Sequence, residues 1–194
     1  KITLLSHSFG ALIALGYASK YPLNVNGLVL MNPVEPGKRF SGATATRQSA
    51  AQSEQDVTEL ERLMASEGFR ARDPATVSQV YRASFRSMFR DRGLVDELEL
   101  NLSVRTAQNG QGVARLLGED LDAIDWWGRL PEIQVPTLIV HGRYDIPPVA
   151  MSRALADVLP LGLLAVLESG HFPYVEDQVG LASTLARFLA ELPR

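Results

Sequence analysis

Four runs of consecutive apolar residues, each bounded by turn-forming residues, punctuate the chain: Ile2 to Leu5, Asn26 to Pro33 (Leu28-Val29-Leu30-Met31 at its centre), Val135 to Gly142, and Leu163 to Leu167. Each is too short for a helix, and none alternates with polar residues. Continuous apolar runs of this length predict strands buried on both faces of a sheet. Between the first two, Phe9 to Lys20 is rich in Ala and Leu and stops at Tyr21-Pro22, where proline forbids continuation. Strand, helix and strand in close succession form a βαβ unit, which places the two strands parallel and makes the crossover right-handed.

From Glu35 to about Pro131 the pattern changes. Residues 36–46 are rich in Gly, Ser, Thr and Ala and predict an exposed connection. Helical spacing then occurs at Val57, Leu60 and Met64; at Val77, Val80, Tyr81, Ser84, Phe85 and Met88, after the N-cap signal Asp73-Pro74; and at Leu94, Val95, Leu98 and Leu102. Shorter helical pieces are predicted over Val113 to Leu117 and Leu121 to Leu130. Strand periodicity returns at Val135, a helix follows from Val149 to Leu159 up to Pro160, and a closing helix carries Val179, Leu181, Leu185, Phe188 and Leu189 on one face. The organisation is α/β: a parallel sheet with flanking helices built from residues 1–35 and 131–194, interrupted by an all-helical insertion over residues 36–130.

Bulk properties narrow the classes. The 194 residues suffice for one domain with a real core, and 46% apolar with 21% charged residues is the balance of a globular chain. A net charge of -3 gives no electrostatic case for nucleic acid or for an anionic membrane surface. Arg82, Arg86, Arg90 and Arg92 lie among Asp91, Asp96 and Glu97 and read as a solvated helix face. No apolar stretch approaches the roughly 20 residues that span a bilayer. The lack of cysteine excludes disulfides and thiolate chemistry and is compatible with the cytoplasm, the expected compartment. Three dispersed histidines have no ligand spacing, so neither metal nor cofactor is implied.

The chemistry concentrates where strands end. Ser6-His7-Ser8-Phe9-Gly10 joins the first strand to a helix. A serine on such a turn is presented at the strand's carboxyl end, facing the helix's free N–H groups and positive dipole end. That is the nucleophile elbow G-x-S-x-G, with Ser6 in place of the first glycine. Ligands of open parallel sheets gather beyond the carboxyl ends of the strands. There, Gly142-Arg143-Tyr144-Asp145 follows the third strand and Ser169-Gly170-His171-Phe172-Pro173 follows the last. Ser8, His171 and Asp145 are the candidate nucleophile, general base and orienting acid, and the Phe9 N–H is the candidate oxyanion donor. Glu35, after the second strand, is the alternative acid. A helix-capping role is the competing reading of Asp145. His7 should point away from Ser8 and pack, and His141 reads as a hydrogen-bonded strand-end residue. Asp120, Asp122 and Asp125 read as caps or surface charge.

With those three motifs in that order, the chain resembles the α/β-hydrolase superfamily over essentially its whole length, and the insertion resembles that superfamily's substrate-selecting cap. Ser-His-Ser-Phe-Gly, Asp125-Trp126-Trp127, Leu130-Pro131 and Val140-His141-Gly142-Arg143-Tyr144-Asp145 are similar to proline iminopeptidase-like members. The resemblance implies a serine hydrolase forming an acyl-enzyme on a small-molecule or short-peptide substrate, an ester or amide. The alternatives are a carboxylesterase, a carbon–carbon-bond hydrolase or an acyltransferase using the same triad, or an inactive truncated hydrolase. In the peptidases, acidic cap residues bind the substrate's amino group. Glu35, Glu59, Glu61 and Glu67 are available, and none aligns with that role. Phe69, Tyr81, Phe85, Met88, Trp126 and Trp127 are expected mostly to pack the insertion. The chain opens at Lys1 directly in a strand predicted to be central. The expectation is a fragment lacking the loop that supplies the second oxyanion donor, poorly soluble or inactive alone; its oligomeric state is left open.

Overall fold

The computed structural model describes residues 1–193; side chains at 111, 114, 117 and 119–122 lie outside the described set, and with them the readings of Asp120 and Asp122. In chain order the elements are β1 (Ile2–His7), α1 (Gly10–Lys20), β2 (Val25–Met31), α2 (Ser41–Ala51), α3 (Glu54–Met64), α4 (Glu67–Arg70), α5 (Pro74–Phe85), α6 (Val104–Ala123), β3 (Thr137–Gly142), α7 (Val149–Val158), β4 (Gly162–Leu167), α8 (Pro173–Glu176) and α9 (Gln178–Glu191). The strands form one parallel sheet in the order β1-β2-β3-β4, with Leu30 opposite Ile139 and Val140 opposite Ala165.

The unbroken apolar runs follow from the two-residue period of a strand. Leu28 and Leu30 face one layer with Ala11, Leu15, Ile139, Leu155 and Trp127, while Val29 and Met31 face the other with Leu138, Val140, Leu181 and Phe188. Burying each Leu or Val contributes about 1.5–3 kcal/mol, so β2 and β3 are fixed from both sides. β1 is the edge of the described sheet, and its Ile2 and Leu5 are exposed.

The helical segment departs from the sequence pattern in several places. α2 starts at Ser41, inside the stretch predicted to be a connection; none of its residues is buried, so it leaves no apolar stripe to read. In α3 the buried residues are Asp56 and Leu63, while Val57 and Met64 of the predicted stripe are exposed. Asp56 closes a capping box with Ser53 and pairs with Arg92 and Arg86, so charge holds this helix where a stripe was expected. Leu94 and Val95 lie on a 3-10 helix, Arg92–Glu97, because Val95 and Leu98 pack against Phe89 and Phe172 without needing a longer helix. Instead of two short pieces, α6 runs continuously over 20 residues. In α9 Leu181, Thr184 and Phe188 face the core, and Val179, at 84% exposure, does not.

The four arginines are more than a solvated face: Arg90 is exposed, yet each makes defined polar contacts. Arg82 donates to the Leu98 carbonyl, Arg86 pairs with Glu59 at 2.6 Å, Arg90 donates to the Glu168 carbonyl, and Arg92 donates to the Ala51 carbonyl. They tie irregular pieces together where helix packing alone does not. Of the large apolar residues, Phe69 packs with Leu63 and Val80, Phe85 and Met88 with Phe89 and Phe172, and Trp127 lies in the core against α1. Among the described residues, no helix is long and apolar enough to cross a membrane.

Candidate active site

β1 ends at His7 and α1 begins at Gly10, which leaves Ser8 and Phe9 to make the whole turn. Ser8 takes φ 55°, the left-handed region that costs a residue with a Cβ about 1–2 kcal/mol. Three backbone hydrogen bonds hold it there. Its N–H donates to Met31 at 3.0 Å, and its carbonyl accepts from Ala11 at 3.1 Å and Val34 at 3.3 Å. Ser6 fits where the elbow pattern has glycine because a Cβ at Gly10 would still lie 3.5 Å from the Ser6 Cβ, an ordinary contact. The Ser6 hydroxyl is occupied elsewhere, donating to the Val29 carbonyl. Phe9 is the N-terminal flanking residue of α1.

Asp145 and His171 are brought together. Asp145 is fully buried after β3, and its carboxylate oxygens lie 3.0 and 2.9 Å from His171 Nδ1. The same carboxylate accepts from the Ile146 N–H and from Asn32 Nδ2, each at 2.7 Å. Burial alone would push the Asp145 carboxyl up. The adjacent His171, with lesser help from His141 and Asn32, outweighs it and leaves the carboxyl below the ordinary value. The helix-capping reading of Asp145 does not hold, since α7 is flanked by Pro148 and has no side-chain cap. Glu35, the alternative acid, is committed to the Phe40 N–H through both oxygens, at 3.0 and 2.9 Å. Asp125 accepts from the Trp127 N–H within its own turn.

Ser8 and His171 lie at the same end of the sheet without a hydrogen bond between them; catalytic hydrogen bonds commonly tighten only around substrate. His7 packs beside the site. Its ring lies 4.8 Å from that of His171, and its Nε2 donates to the His171 carbonyl at 2.7 Å. Burial, then the neighbouring His171, lowers the His7 imidazole to about 4, so it is neutral at ordinary pH. His141 is a buried strand-end residue, bonded to Ser152 at 2.8 Å and the Pro147 carbonyl at 3.1 Å.

Three residues at the site were not singled out from the sequence. Asn32, buried at φ 44° just beyond β2, donates to both Asp145 and the Gly170 carbonyl, the latter at 3.1 Å. Arg47 of α2 donates to the carbonyls of Asp145 at 2.7 Å and Ile146 at 2.9 Å. Glu176 bonds the loop that carries His171. Only Asn32 left a local signal, an Asn-Pro step at a strand's end. The four adjacent strands thus deliver Ser8, Asn32, Asp145 and His171 in spatial order, all beyond their carboxyl ends. Gly142 makes the convergence of the last two loops possible, because a Cβ there would run into the carbonyl oxygens of Gly170 and Ser169. Among the described residues, no group of His, Asp or Glu has the geometry of a metal site.

The chain is similar to known proteins. The chain is 26% identical over 205 residues to AB hydrolase superfamily protein YclE of Bacillus subtilis (strain 168), covering 97% of this chain and 68% of the relative. Two solved structures share the fold: a thermophilic esterase from Thermogutta terrifontis (23% identity, TM-score 0.64, 98% of this chain and 65% of that one) and a proline iminopeptidase from Mycobacterium smegmatis (17% identity, TM-score 0.62, 97% and 64%). The chain spans about two thirds of the length of the curated relatives it matches. The model of the alpha/beta hydrolase fold family matches residues 1–178. With the parallel sheet and its convergent strand ends, this places the chain in the alpha/beta hydrolase fold family.

Proposed function

We propose that this chain carries the reacting residues of a serine hydrolase that works through an acyl-enzyme on a small ester or amide. One observation carries the reading: the ring nitrogen of His171 lies 2.9 Å from a fully buried Asp145 carboxylate, at the sheet end where Ser8 occupies a strained turn. An ionised Asp145 fixes the proton on Nδ1 of His171, which leaves Nε2 free to accept a proton. Ser8 Oγ attacks the substrate carbonyl as its proton passes to Nε2. The Phe9 N–H stabilises the developing oxyanion at the start of α1. The imidazolium, stabilised by Asp145, then protonates the leaving group. Water repeats the sequence on the acyl-Ser8 ester and releases the acid. Asn32 holds Asp145 in place throughout.

The narrower reading, an aminopeptidase of the proline iminopeptidase type, rests on the motifs around Ser8, Trp126 and Asp145. In the full-length protein, aminoacyl anilides (prolyl above all) should be compared with short-chain aryl esters, alongside labelling by a fluorophosphonate. Ser8→Ala is expected to abolish labelling and lower turnover by on the order of 10^4-fold or more. Labelling at another residue, or turnover that survives in Ser8→Ala, overturns the assignment. A preference for prolyl anilides over aryl esters establishes the peptidase branch, and the reverse removes it.

A further inference from the structure

One carboxylate near the site has more backbone donors than its own helix requires. Glu176 closes α8, a single turn after the His171 loop. One of its oxygens accepts from the Gly170 N–H at 2.6 Å; the other accepts from the N–H groups of Arg90 at 2.7 Å and Asp91 at 3.1 Å. The donors come from two segments far apart in sequence, the residue before His171 and the irregular stretch that follows α5. Three further contacts join the same two segments. His171 donates its own N–H to the Met88 carbonyl at 2.8 Å, Arg90 Nη1 donates to the Glu168 carbonyl at 3.0 Å, and the Phe89 and Phe172 rings stack at 4.7 Å. The approach is close enough that a Cβ at Gly170 would strike the Met88 carbonyl.

We infer that Glu176 is a positioning residue: by binding the N–H groups of Gly170, Arg90 and Asp91 together, it fastens the loop carrying His171 to residues 88–91 of the helical segment. His171 is then held by its ring through Asp145 and by its backbone through the helical segment and His7. Displacement of residues 88–91 moves the imidazole relative to Ser8. A charged acceptor suits this task, since hydrogen bonds to an ionised group are shorter and roughly twice as strong as neutral ones. A misplacement of about 1 Å at a reacting group costs on the order of a hundredfold in rate, so a backbone fastening one residue from the base affects kcat. Substrate binding to groups that Glu176 does not touch is unaffected, so KM changes little. The inference rests on His171 being the general base of the proposed function.

The test uses the full-length protein, Glu176→Ala, and Glu176→Gln, which keeps the length and one accepting oxygen. Amide exchange is measured alongside kcat and KM on an aryl ester. In Glu176→Ala, amides of residues 88–91 and 170–171 should exchange faster together, by on the order of tenfold, while those of β3 stay unchanged. kcat should fall by about tenfold to a hundredfold with KM within about twofold, and Glu176→Gln should fall between the two proteins. Unchanged protection in either segment, or unchanged kcat in Glu176→Ala, overturns the inference. A wild type that neither labels nor turns over substrate, yet shows the coupled exchange, overturns the hydrolase reading and leaves the fastening standing.

Discussion

The sheet and the helical segment are held together by different physics. β2 and β3 are packed on both faces by Leu, Val, Ile and Met, and the end of β3 meets the loop after β4 through backbone at near-contact distance. Residues 41–102 have two small apolar clusters, around Leu63 and Phe89, and they add Arg47, Arg82, Arg86, Arg90 and Arg92 reaching carbonyls and carboxylates. Apolar packing against a pleated surface fixes position to a fraction of an ångström. Long charged side chains hold more loosely and adjust. Of the groups proposed to react, Asp145 stands on the first kind of support, Ser8 follows the half-exposed edge strand β1, and His171 draws on both kinds. The second kind brings in partners of a softer sort, Arg47 and the backbone of residues 88–91.

If that contrast is right, the most damaging single change should fall where two backbones meet beyond the sheet. Gly142→Ala puts a methyl group into the carbonyl oxygens of Gly170 and Ser169, which are main-chain atoms with no rotamer to give way. Overpacking of a tight interior costs about 1–3 kcal/mol, and this site should reach the upper end or exceed it. The His171 loop should be pushed from Asp145 at the same time. Thermal unfolding and ester turnover together check this, and a variant with wild-type stability and rate would show that the strand ends are softer than their contacts imply.

How far this contrast could be read from the sequence follows from the same physics. Two-sided burial writes an apolar run, so β2 and β3 were legible; β1 and β4 carry similar runs although their faces are partly exposed, and the loops after the strands pointed to Ser8, Asp145 and His171. α2 was hidden because Ser, Ala, Thr and Gly with no buried face leave no stripe. The residues Leu94 to Leu102 show the reverse: they have helical spacing, but their apolar contacts are made on a 3-10 helix and an irregular stretch against Phe172. Asn32, Arg47 and Glu176 were missed because each acts on a partner roughly 80 to 140 positions away, and no local pattern encodes that.

A middle-sized effect tests the sheet side by pH. His7 is pressed between β1 and the His171 loop, and burial lowers its imidazole from 6.5 to about 4. A group whose folded value lies below its unfolded value binds a proton first in the unfolded chain. Stability therefore falls as pH drops from about 6.5 to about 4, and the whole contribution of this shift is up to about 3 kcal/mol. The buried His141 is lowered as well and adds to the same slope. His7→Gln removes only the His7 share. Unfolding midpoints measured across pH 7 to 4 should therefore converge as pH falls, wild type losing more than the variant. Parallel curves would mean that the strand end admits a charge and is less rigid than the packing indicates.

The smallest effect should come from the helical segment's reach into the site. Arg47 is exposed, and its guanidinium makes part-buried hydrogen bonds to the carbonyls of Asp145 and Ile146, not to the Asp145 carboxylate itself. Asn32, the Ile146 N–H and His171 remain on that carboxylate when Arg47 is cut back. Arg47→Ala should therefore cost about 1 kcal/mol, the net worth of hydrogen bonds still partly open to water, or a fall of roughly 2–4 °C in Tm. Turnover should fall only a few-fold, because the loop keeps its anchors on the sheet. Arg47→Lys restores charge without the two-pronged donor and should recover less than half of the loss, since a point charge does not span two adjacent carbonyls. A loss from Arg47→Ala as large as that from Gly142→Ala would reverse the ranking: the helical segment would then set the acid's position, and the sheet would only carry it there.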